Sequence, residues 1–401
     1  MVKKIMGNPI PARVRLAFTR QNILRFLTII FAFSAPLGYA TAGLFFFILA
    51  FPFIYWKYKR EDPSFSFLGQ LMLPIVALIF SSYLSAFFGT DPKKSVLFTT
   101  GLVLMAVTGI AAGRVFVKDK KFFFALAMPL SLVATTLMGF VAIWQYFFLA
   151  PGRRATAFTG APNRLGTLFL IFGLLGVVFL FDRVKKHRWV LIPYGLIILL
   201  AMGTTLSRAA WVGAVGGLFL FSFYKKFSKK PLLVILIIFV LAGTFFFLQP
   251  KWYNRFLSIF DLEENMIRID LWHAAYHIFQ DHPLTGTGLG NFPGLLPDYA
   301  GNSIKTTQPT PHNFFFNILS DMGLVGFAAF LWLMCKVSAM AFFLWRYGDL
   351  FEAGVVITLA AFFINELFTH NLYTSQVGAI IWFLLGALSM FVQERKLQPV
   401  P

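Results

Sequence analysis

The chain has 401 residues, of which 58% are hydrophobic and only 13% charged, with 52 Phe and a mean hydropathy of +0.74. A soluble domain carries roughly 25% charged residues, so an ordinary soluble fold is excluded; apolar runs of about 20 residues, the length of a membrane-crossing helix, recur instead. The formal net charge of +19 is no nucleic-acid footprint, because the Lys and Arg sit in short clusters between apolar runs, as orientation signals of a membrane protein do.

Twelve spans are predicted, at 23–38, 41–56, 68–88, 96–113, 122–148, 165–181, 189–206, 209–224, 231–248, 322–344, 352–369 and 375–392. The basic first 25 residues lead into a full-length span without a small-residue cleavage site, which reads as a retained helix rather than a signal peptide. With the N-terminus inside, most of the 35 Lys and Arg fall on inner segments and the bias alternates loop by loop. The expectation is an all-α polytopic membrane protein of about 12 transmembrane helices, both termini cytoplasmic, with one large outer loop between helices 9 and 10. It divides into spans 1–9 (1–248), that loop (249–312) and spans 10–12 (313–401). Cys335 is the one cysteine and lies in an apolar run, so no intrachain disulfide is possible. Neither an internal repeat nor a low-complexity tract is evident.

The outer cations are the exceptions to the topology rule: Lys93, Lys94, Arg153, Arg154, Arg164, Arg208, Lys251, Arg255, Arg268 and Lys305. Any single arginine can snorkel to lipid headgroups, but so many together call for an anionic ligand. Within the outer loop, Ile267, Leu271, Ala274, Ala275, Ile278 and Phe279 keep helical spacing, with Asn265 placed to cap the start. Pro283, Pro293, Pro297 and several glycines are expected to break regular structure from there to Pro309. A loop of this size is too small for a comfortable independent domain and is expected to pack on the membrane surface as a lid or wall.

Thr310-Pro311-His312 reads as a helix start, with Thr310 as N-cap and His312 just inside, although Asn313 serves equally well as a cap. A helix N-terminus disfavours an imidazolium, so His312 is expected neutral and able to accept a proton, or else to act as a structural hydrogen-bonder. Ser207 is placed to cap the span that Arg208 begins, and amides plus a guanidinium suit phosphate oxygens. Arg268 precedes Trp272 by one turn, so the guanidinium is expected to stack on the indole, a pose that also pre-orients it. The run Gly286-Thr-Gly-Leu-Gly-Asn lacks the strand and helix of a nucleotide site and reads as a tight loop close to a ligand or to backbone. Glu366 and His370, one turn apart at the outer end of span 11, are functional candidates or a supporting hydrogen-bond pair. No metal site is expected: His273 and His277, four apart, are weak evidence alone, and no matching carboxylate arrangement accompanies the histidines.

Four blocks resemble the O-antigen ligases and related lipid-linked glycan polymerases. They are Ala-Phe-Thr-Gly-Ala-Pro-Asn163-Arg164-Leu-Gly, Leu-Ser-Arg208-Ala-Ala-Trp211, the run from Arg268 to Phe292, and His312-Asn313 followed after nine residues by Gly323 and then Gly326. The resemblance runs from about residue 150 to 330, and its last block is the most specific. It implies a metal-independent, inverting glycosyltransferase without cofactor, in the bacterial inner membrane with its site facing the periplasm. The donor would be an undecaprenyl-pyrophosphate-linked glycan and the acceptor a hydroxyl of lipid A–core. By the resemblance His312 is the base and Arg208 and Arg268 hold the pyrophosphate. Arg153, Arg154, Arg164, Asn163 and Asn313 are further candidates for phosphate or substrate contacts, and Glu366 and His370 for support. An O-antigen polymerase or a protein O-oligosaccharyltransferase remains open. A lipid-linked sugar transporter or flippase is the alternative of another class, disfavoured by the lack of apparent repeats and paired broken helices.

Overall fold

A computed structural model of the chain describes residues 20–45, 47–49, 66–184, 189–224, 248–300 and 310–397, together with Thr244. Among these residues every regular element is helical. In chain order they are α1 (Arg20–Ser34), α2 (Met72–Phe88), α3 (Pro92–Phe116), α4 (Lys120–Leu149), α5 (Pro162–Arg183), α6 (Leu191–Thr204) and α7 (Arg208–Phe223). There follow α8 (Pro250–Leu257), α9 (Leu262–Asp281), α10 (Phe292–Ala300), α11 (Phe314–Tyr347), α12 (Leu350–Glu366) and α13 (Ser375–Leu397).

Among the described residues six helices, counting α2 from Gly69, are long and apolar enough to cross a membrane: α2, α3, α4, α5, α11 and α13. The chain is a multi-pass membrane protein. The predicted spans at 23–38, 189–206, 209–224 and 352–369 correspond to shorter apolar helices of 15, 14, 16 and 17 residues. Those at 41–56 and 231–248 lie largely outside the described residues. The most enclosed helices are α5 and α13, buried along most of their length, and they anchor one continuous apolar core.

The helix ends gather into two opposite clusters that treat charge differently. At one, cations meet carboxylates: Arg25 with Asp119 (3.1 Å), Lys120 with Glu394 (2.6 Å), Arg183 with Asp349 (2.7 Å) and Arg395 with Glu352 (2.8 Å). Asp349 and Glu352 also close a reciprocal capping box that starts α12. The other cluster carries the turns at 89–91, 150–161, 205–207 and 367–374 and the described parts of 249–313. It is knit by backbone and amide bonds, such as Thr90 N to Thr287 O (2.9 Å) and Asn291 Nδ2 to Ser95 Oγ (2.9 Å).

The long loop folds down on this second end. Trp252 of α8 is buried against Tyr146 and Leu206, its ring 5.9 Å from that of Tyr146. Leu271, Ala274, Ala275 and Ile278 of α9 bury against Phe292 and Leu296 of α10, with Phe316 of α11 beside them. Three details differ from expectation. Ile267 is 51% exposed and lies off the buried face. Asn265 does not cap α9, which starts at Leu262; from inside the helix its amide reaches back to the carbonyls of Asp261 (2.7 Å) and Ile259 (3.1 Å). Pro293 and Pro297 stand within α10 rather than breaking it. Pro293 falls in the first turn, where an amide is unpaired anyway, and burial of Phe292 and Leu296 holds the short helix despite Pro297.

α11 is two helices merged across a break at Gly323, whose φ is +61°. The break is where the glycine run docks. Thr287 N and Gly288 N donate to Ser320 O (3.0 Å) and Asp321 O (2.9 Å), while Leu324 N and Val325 N donate to Pro283 O (2.8 Å) and Leu284 O (3.1 Å). The backbone groups orphaned by the break are thus satisfied by the loop. A Cβ on Gly286 would stand 2.4 Å from the Asp321 carbonyl, and one on Gly323 would stand 2.5 Å from that of Leu284. Of the two readings of the glycine run, close approach to backbone is the one observed.

Candidate active site

Arg208 opens α7 directly after two unusual residues. Leu206 takes a left-handed φ of +50°, and Ser207 stands extended at the N-cap position. Ser207 makes no capping bond, however: its hydroxyl is buried without a partner, against the capping role expected of it. Arg208 is 8% exposed and donates from Nη1 to the Ser258 carbonyl and to Ser258 Oγ (3.1 Å), tying α7 to the end of α8.

Three further arginines converge on this point. Arg154, in the turn after α4, donates to Thr205 O (2.9 Å) and to Asn163 Oδ1 (2.6 Å), so Asn163 holds Arg154 in place. Arg255 of α8 reaches Leu206 O at 3.4 Å. Arg268 of α9 is half-buried and makes no hydrogen bond or ion pair with any described residue. The four repel one another. Burial first, then Arg255, Arg268 and Arg208, push Arg154 down to about 10; burial first, then Arg208 and Arg255, do the same to Arg268. Among the described residues no carboxylate is one of the groups acting on either.

His312 stands next to Arg268. The helix does not start where Thr310 and Pro311 suggest: Asn313 is the N-cap, accepting from Phe315 N (3.0 Å) and Phe316 N (3.2 Å), and α11 begins at Phe314. His312 therefore lies outside the helix, with a left-handed φ of +49°. Such a conformation in a non-glycine residue costs of order 1–3 kcal/mol and persists only where the surroundings enforce it. Here the Asn313 cap fixes one side, and the Trp272 indole clasps Pro311 O at 2.8 Å on the other. Burial first, then the Arg268 charge, push His312 down to about 4. The imidazole is neutral at pH 7, as expected, but burial and Arg268 rather than a helix terminus make it so. Trp272 stacks on Phe316 (5.8 Å, 20°) rather than on Arg268, which leaves the guanidinium free of the ring.

The His370 ring lies 5.6 Å from that of His312, nearly edge-on, and its Nδ1 is 3.3 Å from Thr310 Oγ1. Burial first, then His312 and Arg164, hold it down to about 3. Glu366 does not pair with it. That carboxylate is fully buried and accepts from Thr369 Oγ1 (2.7 Å), Asn371 N (3.1 Å) and Leu372 N (3.1 Å), so it staples the turn that presents His370. Arg153 is exposed and shares no hydrogen bond or ion pair with this group. Among the described residues no three His, Cys, Asp or Glu gather to hold a metal ion; His273 is exposed and His277 bonds Gln280 (3.0 Å).

Arg255 was not singled out from the sequence beyond being an outer cation. The signal was local: Trp252 and Arg255 are three apart on α8, so burying the tryptophan turns the arginine to the same face.

Residues 193–331, a stretch holding Arg208, Arg255, Arg268 and His312, match the family model described as O-Antigen ligase. Over 315 residues the chain is 22% identical to a General O-oligosaccharyltransferase of Acinetobacter baylyi, an alignment covering 71% of this chain and 54% of that protein. The chain thus spans about half the length of the relative it matches.

Proposed function

We propose that this chain, which belongs to the O-antigen ligase family through residues 193–331, transfers a glycan from undecaprenyl pyrophosphate to a sugar hydroxyl of lipid A–core, at the periplasmic face of the inner membrane. The observation that carries the reading is the convergence of Arg154, Arg208, Arg255 and Arg268 beside a neutral His312. Four guanidinium groups close enough to lower one another's pKa favour a multiply charged anion among them. Guanidinium forks match pyrophosphate oxygens at two points each.

The chemistry follows from those placements. The acceptor hydroxyl gives its proton to His312 as its oxygen bonds to the anomeric carbon. The bond from that carbon to the pyrophosphate oxygen breaks, and the electron pair leaves with the polyprenyl pyrophosphate. The arginines neutralise the charge that develops on this leaving group, within a site whose dipoles and charges are already in place. Attack from the side opposite the pyrophosphate inverts the anomeric centre. The glycan-carrying lipid lies in the bilayer with its pyrophosphate at the end of the molecule that bears the arginines. That orientation places both termini on the cytoplasmic side.

A protein hydroxyl as acceptor is the second reading, favoured by the similarity to an O-oligosaccharyltransferase. The test is transfer by purified protein from polyprenyl-pyrophosphate glycan, offered lipid A–core and a serine-containing protein acceptor in parallel. Glycosylated lipid A–core with wild type, and a 10²–10⁴-fold loss in His312→Ala, is the expected result. Product on protein alone selects the second reading, and near-normal transfer by His312→Ala removes the base.

A further inference from the structure

The three arginines of the 150–164 segment part company in the structure. Arg154 joins the cluster around Arg208, Arg153 faces outward, and Arg164 goes elsewhere. Arg164 sits in the first turn of α5, beside Asn163, which bonds Arg154. Successive helical residues point about 100° apart, so Arg164 is turned away from that contact. Its direction is fixed by Thr167, three residues on and on the same face. Thr167 Oγ1 accepts from Asn371 Nδ2 (2.8 Å) and Asn365 Nδ2 (3.2 Å). The face of α5 carrying Arg164 therefore meets the turn that presents His370.

The order across the site is then Arg268, His312, His370, Arg164. His312 feels Arg268, and His370 feels His312 and Arg164. Arg164 is half-buried and has no hydrogen-bond or ion-pair partner among the described residues. It also stands at the positive end of a helix whose N-cap, Ala161, offers no side-chain acceptor, so no described group around it offsets its charge.

We propose that His370 and Arg164 form the acceptor side of the site, with Arg164 binding a phosphate group carried by the acceptor sugar close to its reacting hydroxyl. This rests on the transferase reading: a nucleophile approaching opposite the leaving pyrophosphate arrives from the side of His312 remote from the four arginines. His370 and Arg164 occupy that side. A base between two cationic loci separates the two anionic substrates, one at each.

The test is equilibrium binding to the full chain in detergent, with phosphorylated lipid A–core and the same lipid after phosphatase treatment as probes. Wild type is expected to bind the phosphorylated form about tenfold more tightly, the size of one modest charge-assisted contact. Arg164→Gln abolishes the difference, Arg164→Lys restores part of it, and Arg268→Gln leaves it intact. Equal binding of the two lipids by wild type overturns the proposal. So does loss of the preference in Arg268→Gln, which would place the phosphate at the donor cluster. Displacement of the phosphorylated probe by an equal amount of phosphatidylglycerol would make Arg164 a headgroup site and overturn it likewise. Because binding is read without turnover, failure here is distinct from failure of the transfer assay, which tests the base and the reaction.

Discussion

Replacing Arg268 by Gln is expected to cost substrate binding without costing the empty protein stability. Burial and two neighbouring arginines push Arg268 down from the usual guanidinium range to about 10. At 1.36 kcal/mol per unit, the charged form is disfavoured by roughly 3 kcal/mol. An arginine does not escape by losing its proton at neutral pH, so the unliganded fold carries that cost. Glutamine removes the charge but brings an amide whose burial costs roughly 1–3 kcal/mol. The net effect is a stability change between about zero and a gain of 2 kcal/mol. Inorganic pyrophosphate at a hundredfold excess over its Kd should stabilise wild type by about 2.7 kcal/mol. Loss of one charged hydrogen-bonding partner, worth roughly 1.5–3 kcal/mol, weakens Kd about 10- to 100-fold. At the same concentration the variant then gains only roughly 0.4–1.4 kcal/mol. Thermal unfolding of the detergent-solubilised protein, with and without pyrophosphate, reads both quantities. A midpoint lowered as much as by a core substitution, together with a wild type indifferent to pyrophosphate, would refute the anion-site argument.

The pH dependence of transfer carries the signature of His312. Since burial and Arg268 push it down to about 4, the neutral base persists well below the usual imidazole range. kcat/KM should hold as pH falls through 6.5 and decline only near 4, whereas kcat should decline at a higher pH. Bound pyrophosphate offsets the Arg268 charge that disfavours the imidazolium, so the pKa rises in the complex. A single acid limb at 6.5 in both parameters would contradict the environment described. Gly323→Ala should lower the thermal midpoint and transfer together. Its Cβ would stand 2.5 Å from the Leu284 carbonyl at a φ of +61°, a conformation that costs an L-residue roughly 1–2 kcal/mol before any clash. An unchanged midpoint would show that the helix break is not held by the loop.

What the sequence determined by itself is what local chemistry sets. Apolar runs longer than a bilayer core is thick must be helices, because lipid offers no partner for a free amide. The charge bias gave an expected orientation, and among the described residues ion pairs link the helix ends at Asp119, Asp349, Glu352 and Glu394. His312, Arg208 and Arg268 were singled out in the sequence by their placement at expected helix starts and by the motifs around them. Tertiary structure decided which groups meet. Arg255 enters the cluster only because Trp252 buries. Arg154, in the turn after α4, is held among the arginines by Asn163, while the phase of α5 sets Arg164 on the face that meets the 369–372 turn. Glu366, a candidate by its intramembrane position, is spent on the turn at 369–372, while the neighbouring His370 is turned toward His312. The protonation of His312 was anticipated, but its cause was not. Sequence spacing shows a helix start, whereas burial and a neighbouring charge arise only when distant segments pack. Left-handed backbone at Leu206 and His312 was equally invisible, since it is imposed by contacts from other helices rather than by the residues themselves.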